Sequence, residues 1–474
     1  MSNNTQSNND KNELIYGLND RPEPLKALFA AFQHILASFV GITTPALIIG
    51  GVLGLGEHLP YLISMSLIVS GVGTFIQAKK VGPIGSGLLC VQGTSFAFLS
   101  AVLAAGFLVK NRGGSPEDIL AMIFGVCLCS AFIEVVLSRF MHKLGRIITP
   151  VVTGIVITTI GLSLIKVGMT DLAGGFNAED KGALHYLAVG GITLTTIIVL
   201  NRFSNQTLRL SAIMIGMVVG YISAAFMGMV NYDIAEVALI TIPTPFKFGL
   251  DFDIAAFIPV AIISVVTAIE TTGDLTANSM VSNEPVKGPI YMKRIKAGVL
   301  GDGTNSTIAA IMGSFPMSTF SQNNGVIQLT GVASRYVAFY IAGLFVLLGM
   351  FPIIGAFLQT MPKPVLGGAT LVMFGTVAAA GIRILATAEL GRRDLLIMAV
   401  SFGLGLGVTA VPEVTNYLPP LLKSVMGSSV TVAGLSAILM SLLLPMGKRE
   451  EEKLAAAEKE AEKDAAEAEA METV

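Results

Sequence analysis

The chain is dominated by apolar stretches long enough to cross a lipid bilayer, separated by short charged segments. A spanning helix needs about 20 predominantly apolar residues. Fourteen candidates lie near 27–50, 61–77, 84–106, 118–138, 147–168, 186–201, 210–230, 254–276, 295–313, 319–334, 336–358, 364–382, 394–411 and 428–445. Only 13% of the residues are charged, roughly half the usual share of a soluble chain. A soluble fold of 474 residues would still need a charged surface, so lipid replaces water around most of this one. In lipid every backbone polar group must be satisfied internally, which leaves helices or a closed barrel. The runs are continuous and lack strand-like alternation, so an all-α polytopic membrane protein is predicted.

Loop charge sets the orientation. With the N-terminus on the cytoplasmic side, fifteen Lys and Arg fall in the inner loops, among them Lys79, Arg139, Arg202, Lys293 and Arg383. Seven fall outside, among them Lys110, Lys181 and Lys363. That asymmetry predicts an even number of spans with both termini cytoplasmic. Residues 1–26 form a polar N-terminal tail without the basic-then-apolar order of a cleavable leader. Residues 448–474 form an Ala/Glu/Lys-rich tail with five basic and ten acidic residues, expected as a solvated helix. No basic patch interleaved with aromatics points to nucleic acid. Cys90, Cys127 and Cys129 match neither a metal spacing nor a disulfide framework, and are expected to be buried, inert thiols.

An internal repeat crosses the chain. Pro150-Val151-Val152-Thr153-Gly154, with Gly161 seven residues on, opens span five; Pro364-Val365-Leu366-Gly367-Gly368, with Gly375 seven residues on, opens span twelve. Gln92-Gly93-Thr94-Ser95-Phe96 in span three corresponds to Ser321-Gln322-Asn323-Asn324-Gly325 in span ten. Both pairs are seven spans apart. An odd offset inverts the second half relative to the first, giving two inverted repeats of seven helices, with spans three and ten interrupted. This is a plan of secondary transporters, whose site lies between broken helices near the midplane.

Polar groups inside apolar spans are functional candidates because each is costly to bury. Glu270 follows the uncharged run from Ile254 to Ile269, and a carboxylate at that depth must be protonated or paired. It fits proton coupling and accepting the N–H groups of a flat heterocycle; the alternative is a structural cap on a neighbouring helix. Asp274, four residues on, shares its helix face and is expected to orient the Glu270 region. Asp302 lies six residues beyond Lys296, ~9 Å along a helix, so partial hydration, pairing with Lys296 and proton transfer all stay open. His34 is a substrate contact or a hydrogen-bonded packing element. Gln92 and Gln322 stand in the interrupted segments, where a side-chain amide matches the donor–acceptor edge of a purine. Phe96 either stacks on a planar ring or packs in the core.

The run Gln322-Asn323-Asn324-Gly325-Val326-Ile327-Gln328-Leu329-Thr330-Gly331-Val332-Ala333-Ser334-Arg335 resembles the signature of the nucleobase–ascorbate transporters, also called nucleobase:cation symporters of the second type. Glu270-Thr271-Thr272-Gly273-Asp274, Gly301-Asp302-Gly303 and Gln92-Gly93-Thr94-Ser95-Phe96 are similar to further family motifs, with bacterial xanthine permeases nearest. The resemblance covers Glu13 to Leu444. It implies a core domain of spans one to four and eight to eleven (27–138 and 251–358). A gate domain of spans five to seven and twelve to fourteen (139–250 and 359–447) would carry a homodimer interface. It implies substrate contacts at Glu270, Gln322, Ser95, Phe96, His34 and Asn323, and proton coupling at Glu270 and Asp302. Supporting roles fall to Asp274, Gln92, Thr330 and Gly331. Gln322 implies a purine, xanthine or uric acid; Ser95, where some xanthine members carry Asn, implies wider acceptance of uric acid.

The expected function is therefore proton-coupled import of a purine nucleobase across the bacterial inner membrane, without a cofactor. A broader purine or uracil permease is the alternative within the family. An anion transporter of the same architecture is disfavoured by Glu270 in the spans. A membrane-embedded enzyme is disfavoured by the lack of a metal cluster or a nucleophile–base constellation among only four His.

Overall fold

The computed structural model describes residues 14–445 apart from 142–148, 176–177, 206–207, 210, 231–237 and 389, together with scattered positions in the C-terminal tail. Most of the acidic tail, the first thirteen residues, and Lys143 and Arg146 of the inner loops lie outside the described residues. Among the described residues the chain is mostly helical, with one small sheet as the exception at its centre. In order, the helices of the first half are α1 (Pro24–Leu53), α2 (Leu59–Lys79), α3 (Leu99–Lys110), α4 (Pro116–Phe140), α5 (Pro150–Leu172), α6 (Leu184–Arg202) and α7 (Ala212–Phe226). Those of the second half are α8 (Ile254–Val281), α9 (Pro289–Met312), α10 (Gln322–Thr330), α11 (Arg335–Gly349), α12 (Pro352–Gln359), α13 (Lys363–Leu385), α14 (Arg392–Ala410), α15 (Pro420–Met426) and α16 (Ser429–Leu443).

Among the described residues, eight helices are individually long and apolar enough to cross a membrane, or nine if α11 and α12 are one bent span. Each predicted span nevertheless falls on a helix. The shortfall has physical causes: α3 and α10 are half-helices, α7 and α16 have 15 residues each, and α9 is too polar. The predicted span 336–358 breaks by 70° ahead of Pro352, whose missing N–H cannot continue the helix.

The exception is a two-stranded antiparallel sheet. β1 (Gln92–Thr94) pairs with β2 (Met317–Thr319) in the register Gln92↔Thr319, Gly93↔Ser318 and Thr94↔Met317. These are the interruptions expected in spans three and ten. The ladder extends through Ser95 N–H to Pro316 O and Phe320 N–H to Val91 O. A Cβ on Gly93 would lie 2.4 Å from the Phe320 ring, so glycine is what lets the two strands and that ring close together.

The repeat also reads out in packing. α5 and α13 run antiparallel along their length, each entered through a proline in its first turn. Gly154 meets Leu385, Gly161 meets Ala378 and Gly168 meets Leu371. A Cβ on Gly161 would stand 2.3 Å from the Ala378 backbone nitrogen, whereas one on Gly375 would meet nothing within 4 Å. Small residues at such spacing are how apolar helices approach closely without a hydrophobic drive between them.

One expectation needs correction. Cys129 is exposed while Cys90 and Cys127 are buried, because residues two apart on a helix point about 200° apart. The described part of the N-terminal tail pairs with the chain after α10. Ile15 and Tyr16 N–H donate to Gly331 O, Tyr16 O accepts from Ala333 N–H, Leu18 O accepts from Arg335 N–H, and Ser334 Oγ donates to Asp20 O. Residues 15–20 are thus tied to the chain leaving α10.

The α5–α13 contact makes a prediction. Gly161→Ala should lower the unfolding temperature of the detergent-solubilised protein, by the equivalent of about 1–3 kcal/mol for overpacking. Gly375→Ala should leave it unchanged or raise it. Thermal melts followed by size-exclusion chromatography would compare the two directly.

Candidate functional site

Each strand runs straight into a helix start, β1 through Ser95 into a 3-10 turn (Phe96–Phe98) and α3, β2 through Phe320 and Ser321 into α10. The first turn of a helix leaves N–H groups without intrahelical partners and carries partial positive charge. Because the strands are antiparallel, two such ends approach one place from opposite sides.

A cavity of about 570 Å³ occupies that place. Its inner wall is made by Phe96, Ala97, Phe320, Ser321 and Gln322 from the strand–helix junctions and by Glu270 and Asp274 from α8. Opposite lie Thr153 and Ile157 of α5, with Val377 of α13. Met280, Tyr291, Gln328 and Arg383 also line it, at the loop ends expected to face the cytoplasm. Two aromatic rings flank the inner end. Phe96 is held edge-on by Phe374 at 5.3 Å between centroids, and Phe320 rests against Gly41 and Gly93.

Glu270 Oε2 is buried and takes part in no hydrogen bond among the described residues. No described hydrogen bond involves the Gln322 side chain either. Leaving a buried carboxylate oxygen unpaired costs several kcal/mol unless something binds there. The site is therefore built to receive hydrogen-bond donors, with a side-chain amide and helix-end N–H groups beside them.

Asp302 is the reverse case. It is 2% exposed and does not line the cavity. Its Oδ1 accepts from Gln77 Nε2 at 2.6 Å and Gln92 Nε2 at 2.8 Å; its Oδ2 accepts from Thr271 Oγ1 at 2.5 Å and Thr319 Oγ1 at 3.2 Å. The flanking glycines make room: a Cβ on Gly301 would lie 2.6 Å from Gln77 Nε2, and one on Gly303 would lie 2.9 Å from Val135 N. Gln92, fully buried, therefore braces Asp302 and Thr319 and does not reach the cavity.

His34, Asn323 and Ser95 likewise lie outside the cavity wall. Asn323 Nδ2 donates to Ser38 Oγ at 2.7 Å, and Ser38 Oγ donates to His34 O. That leaves Asn323 Oδ1 to accept from His34 Nδ1 at 2.6 Å. The trio fastens α1 to the start of α10, and so positions Gln322 from behind. Asn324 does the same toward α8, donating to Asp274 O and accepting from Asn278 Nδ2. Ser95 contributes its backbone to the strand ladder. Thr330 and Gly331 close α10 at its far end, Gly331 in the left-handed conformation at φ 67°. Asp274, expected only to orient its neighbour, is in the cavity wall itself. Phe320 was not singled out in the sequence, although it follows β2 as Phe96 follows β1.

Residues 25–414 match the family model described as Permease family, Xan_ur_permease. The chain is 47% identical to the xanthine permease XanP of Escherichia coli (strain K12) over 444 residues, 92% of this chain and 96% of that protein. It is 45% identical to the xanthine permease XanQ of the same organism over 449 residues, 94% and 96% of the two. Among solved structures it is similar to the transmembrane domain of a cyanobacterial bicarbonate transporter, BicA, with TM-score 0.56 and 15% identity, covering 86% of this chain and 99% of that one. It is also similar to the murine Slc26a9 anion transporter in its inward-facing state, with TM-score 0.62 and 11% identity, covering 90% and 69%. At those identities the likeness shows the fold.

Asp302 and Glu270 should differ sharply when made into amides. Asp302→Asn places an NH2 against groups that already donate, and should destabilise the protein by about 1–3 kcal/mol. Glu270→Gln loses no hydrogen bond among the described residues and should stay within about 0.5 kcal/mol of the parent. Denaturation midpoints of the purified variants are the measurement.

Proposed function

Since the chain belongs to this permease family, the nucleobase–ascorbate transporters, we propose that it imports a purine nucleobase, xanthine first and uric acid second, together with a proton. One observation carries the substrate assignment. A carboxylate oxygen and a side-chain amide without hydrogen-bond partners among the described residues line one cavity with two aromatic rings. A purine dione offers the complement: a flat face for Phe96 and Phe320, N–H donors for Glu270, and a lactam edge for Gln322. Its carbonyl oxygens suit the N–H groups at the starts of the two half-helices. The XanP and XanQ names point the same way.

The coupling proton is assigned to Glu270, with Asp302 keeping the α8–α9 geometry on which Glu270 depends. Movement of α1–α4 and α8–α12 as a core against a gate of α5–α7 and α13–α16 would expose the site to each side in turn. The α5–α13 pair lies on the gate side of the cavity, which favours that division. The proposal includes fourteen spans, both termini in the cytoplasm of a bacterium, placement in its inner membrane, and a homodimer held by the gate. In that orientation the described cavity is open to the inside. An anion substrate is a poorer match, because Glu270 and Asp274 would repel it.

Uptake of radiolabelled xanthine in cells stripped of their own permeases tests the proposal. Xanthine and uric acid should compete, while bicarbonate and sulfate should not. Collapse of the proton gradient and Glu270→Gln should each abolish accumulation, with Gln322→Ala weakening apparent affinity by about tenfold or more for one lost charge-free hydrogen bond and its orientation. Undiminished accumulation in Glu270→Gln, or competition by sulfate alone, would sink it.

A further inference from the structure

α4 carries a carboxylate to which the transport scheme above gives no part. Glu134 is 1% exposed, on the face of α4 that packs against α8 and α9. Its Oε1 accepts from Thr267 Oγ1 at 2.5 Å; its Oε2 is buried without a hydrogen-bond partner among the described residues. A buried carboxylate anion ordinarily gathers several donors or a cation. Asp302 gathers four side-chain donors. Glu134 has a single hydroxyl, and Ile263 O at 3.0 Å and Ser264 O at 3.2 Å compete for that hydroxyl's one proton.

Among the described residues the charged surroundings offer no compensation. From α8 the group faced is Glu270, and from α9 it is Asp302, both acidic. From α3 the nearest basic side chain is Lys110 at the helix end, which donates to Leu53 O. On α4 itself Arg139 is exposed and more than a turn away. The segment before α8 meets α4 through Asp251 at Gly125, two and a half turns from Glu134. No ion pair to Glu134 exists among the described residues.

Placement ties Glu134 to the site. A Cβ on Gly303 would lie 3.0 Å from Glu134 Cβ, so the glycine after Asp302 is what admits it. Along α8, Thr267, Glu270, Thr271 and Asp274 recur at i, i+3, i+4 and i+7 and share one side of the helix. Thr267 holds Glu134, Thr271 holds Asp302, and Glu270 and Asp274 reach the cavity.

We propose that Glu134 is a second proton-binding residue of the transport cycle, held one helical turn behind Glu270 by Thr267. A proton entering from water forms an O–H bond on the carboxylate, and that bond breaks when the proton leaves to water on the other side. Thr267 turns its hydroxyl between Glu134 and Ile263 O as the charge changes. Glu134 does not touch substrate, so its part is in coupling and not in recognition. This rests on the proton-coupled function proposed above.

The test uses the full chain in proteoliposomes, with Glu134→Gln and Glu134→Asp beside the parent. Glu134→Gln should exchange labelled for unlabelled xanthine within about twofold of the parent, yet lose at least about tenfold of the accumulation driven by an imposed pH gradient. Glu134→Asp should keep gradient-driven accumulation with a displaced pH profile. Infrared spectra of the parent should contain a protonated-carboxyl band that titrates and is missing from Glu134→Gln. Parent-like accumulation and an unchanged pH profile in Glu134→Gln overturn the proposal, as does loss of exchange and accumulation together in a folded variant. If Glu134→Gln does not fold, an unchanged pH profile in Glu134→Asp overturns it and a displaced one supports it. A parent that ignores the pH gradient overturns the proton-coupled function itself, and Glu134's role with it.

Discussion

Three residue pairs of antiparallel strand hold the centre of this protein together. Gln92–Thr94 and Met317–Thr319 come from segments that break their helices, where exposed backbone groups would find no water. By pairing, the strands satisfy one another, and what would be a defect becomes a scaffold. Everything chemical is referred to it: the half-helix starts at Phe96 and Gln322, the rings of Phe96 and Phe320, and Asp302, which reaches the sheet through Gln92 and Thr319. Two repeats must meet for the pair to exist at all, so the site belongs to neither half alone.

The architecture was legible because it rests on properties that residues carry locally. Apolar length marked the spans, and the Gly/Ser/Thr/Gln-rich stretches marked the interruptions. The Pro-Val motifs at 150 and 364 marked the antiparallel α5–α13 pair. What sequence could not supply was direction around a helix where neighbours decide it. Gly161 and Gly375 look equivalent as letters, yet only the first is pressed against a backbone. Residues 15–20 read as an ordinary polar tail because edge-like pairing to Gly331–Arg335 has no hydrophobic pattern.

For the candidate site, sequence singled out residues that the fold gathers but not which of them line the cavity. Glu270, Gln322 and Phe96 are in the cavity wall. Asp302, Gln92, His34, Asn323 and Ser95 stand behind it, since a polar residue inside a span is costly whether it binds a ligand or braces one that does. Composition cannot separate those cases; hydrogen-bond saturation can. Asp302 is saturated and Glu270 is not. In sequence Glu134 is a lone glutamate five residues before Arg139, near the end of the span 118–138. Packing, through Gly303 and Thr267, is what buries it.

The central claim is that unpaired Glu270 and Gln322, between two aromatic rings, form the substrate site. An experimental structure of the protein with xanthine bound tests it most directly. The expected map has the purine between Phe96 and Phe320, its N–H edge on Glu270 and its lactam edge on Gln322. Xanthine bound elsewhere, with Glu270 still without a partner, would contradict it.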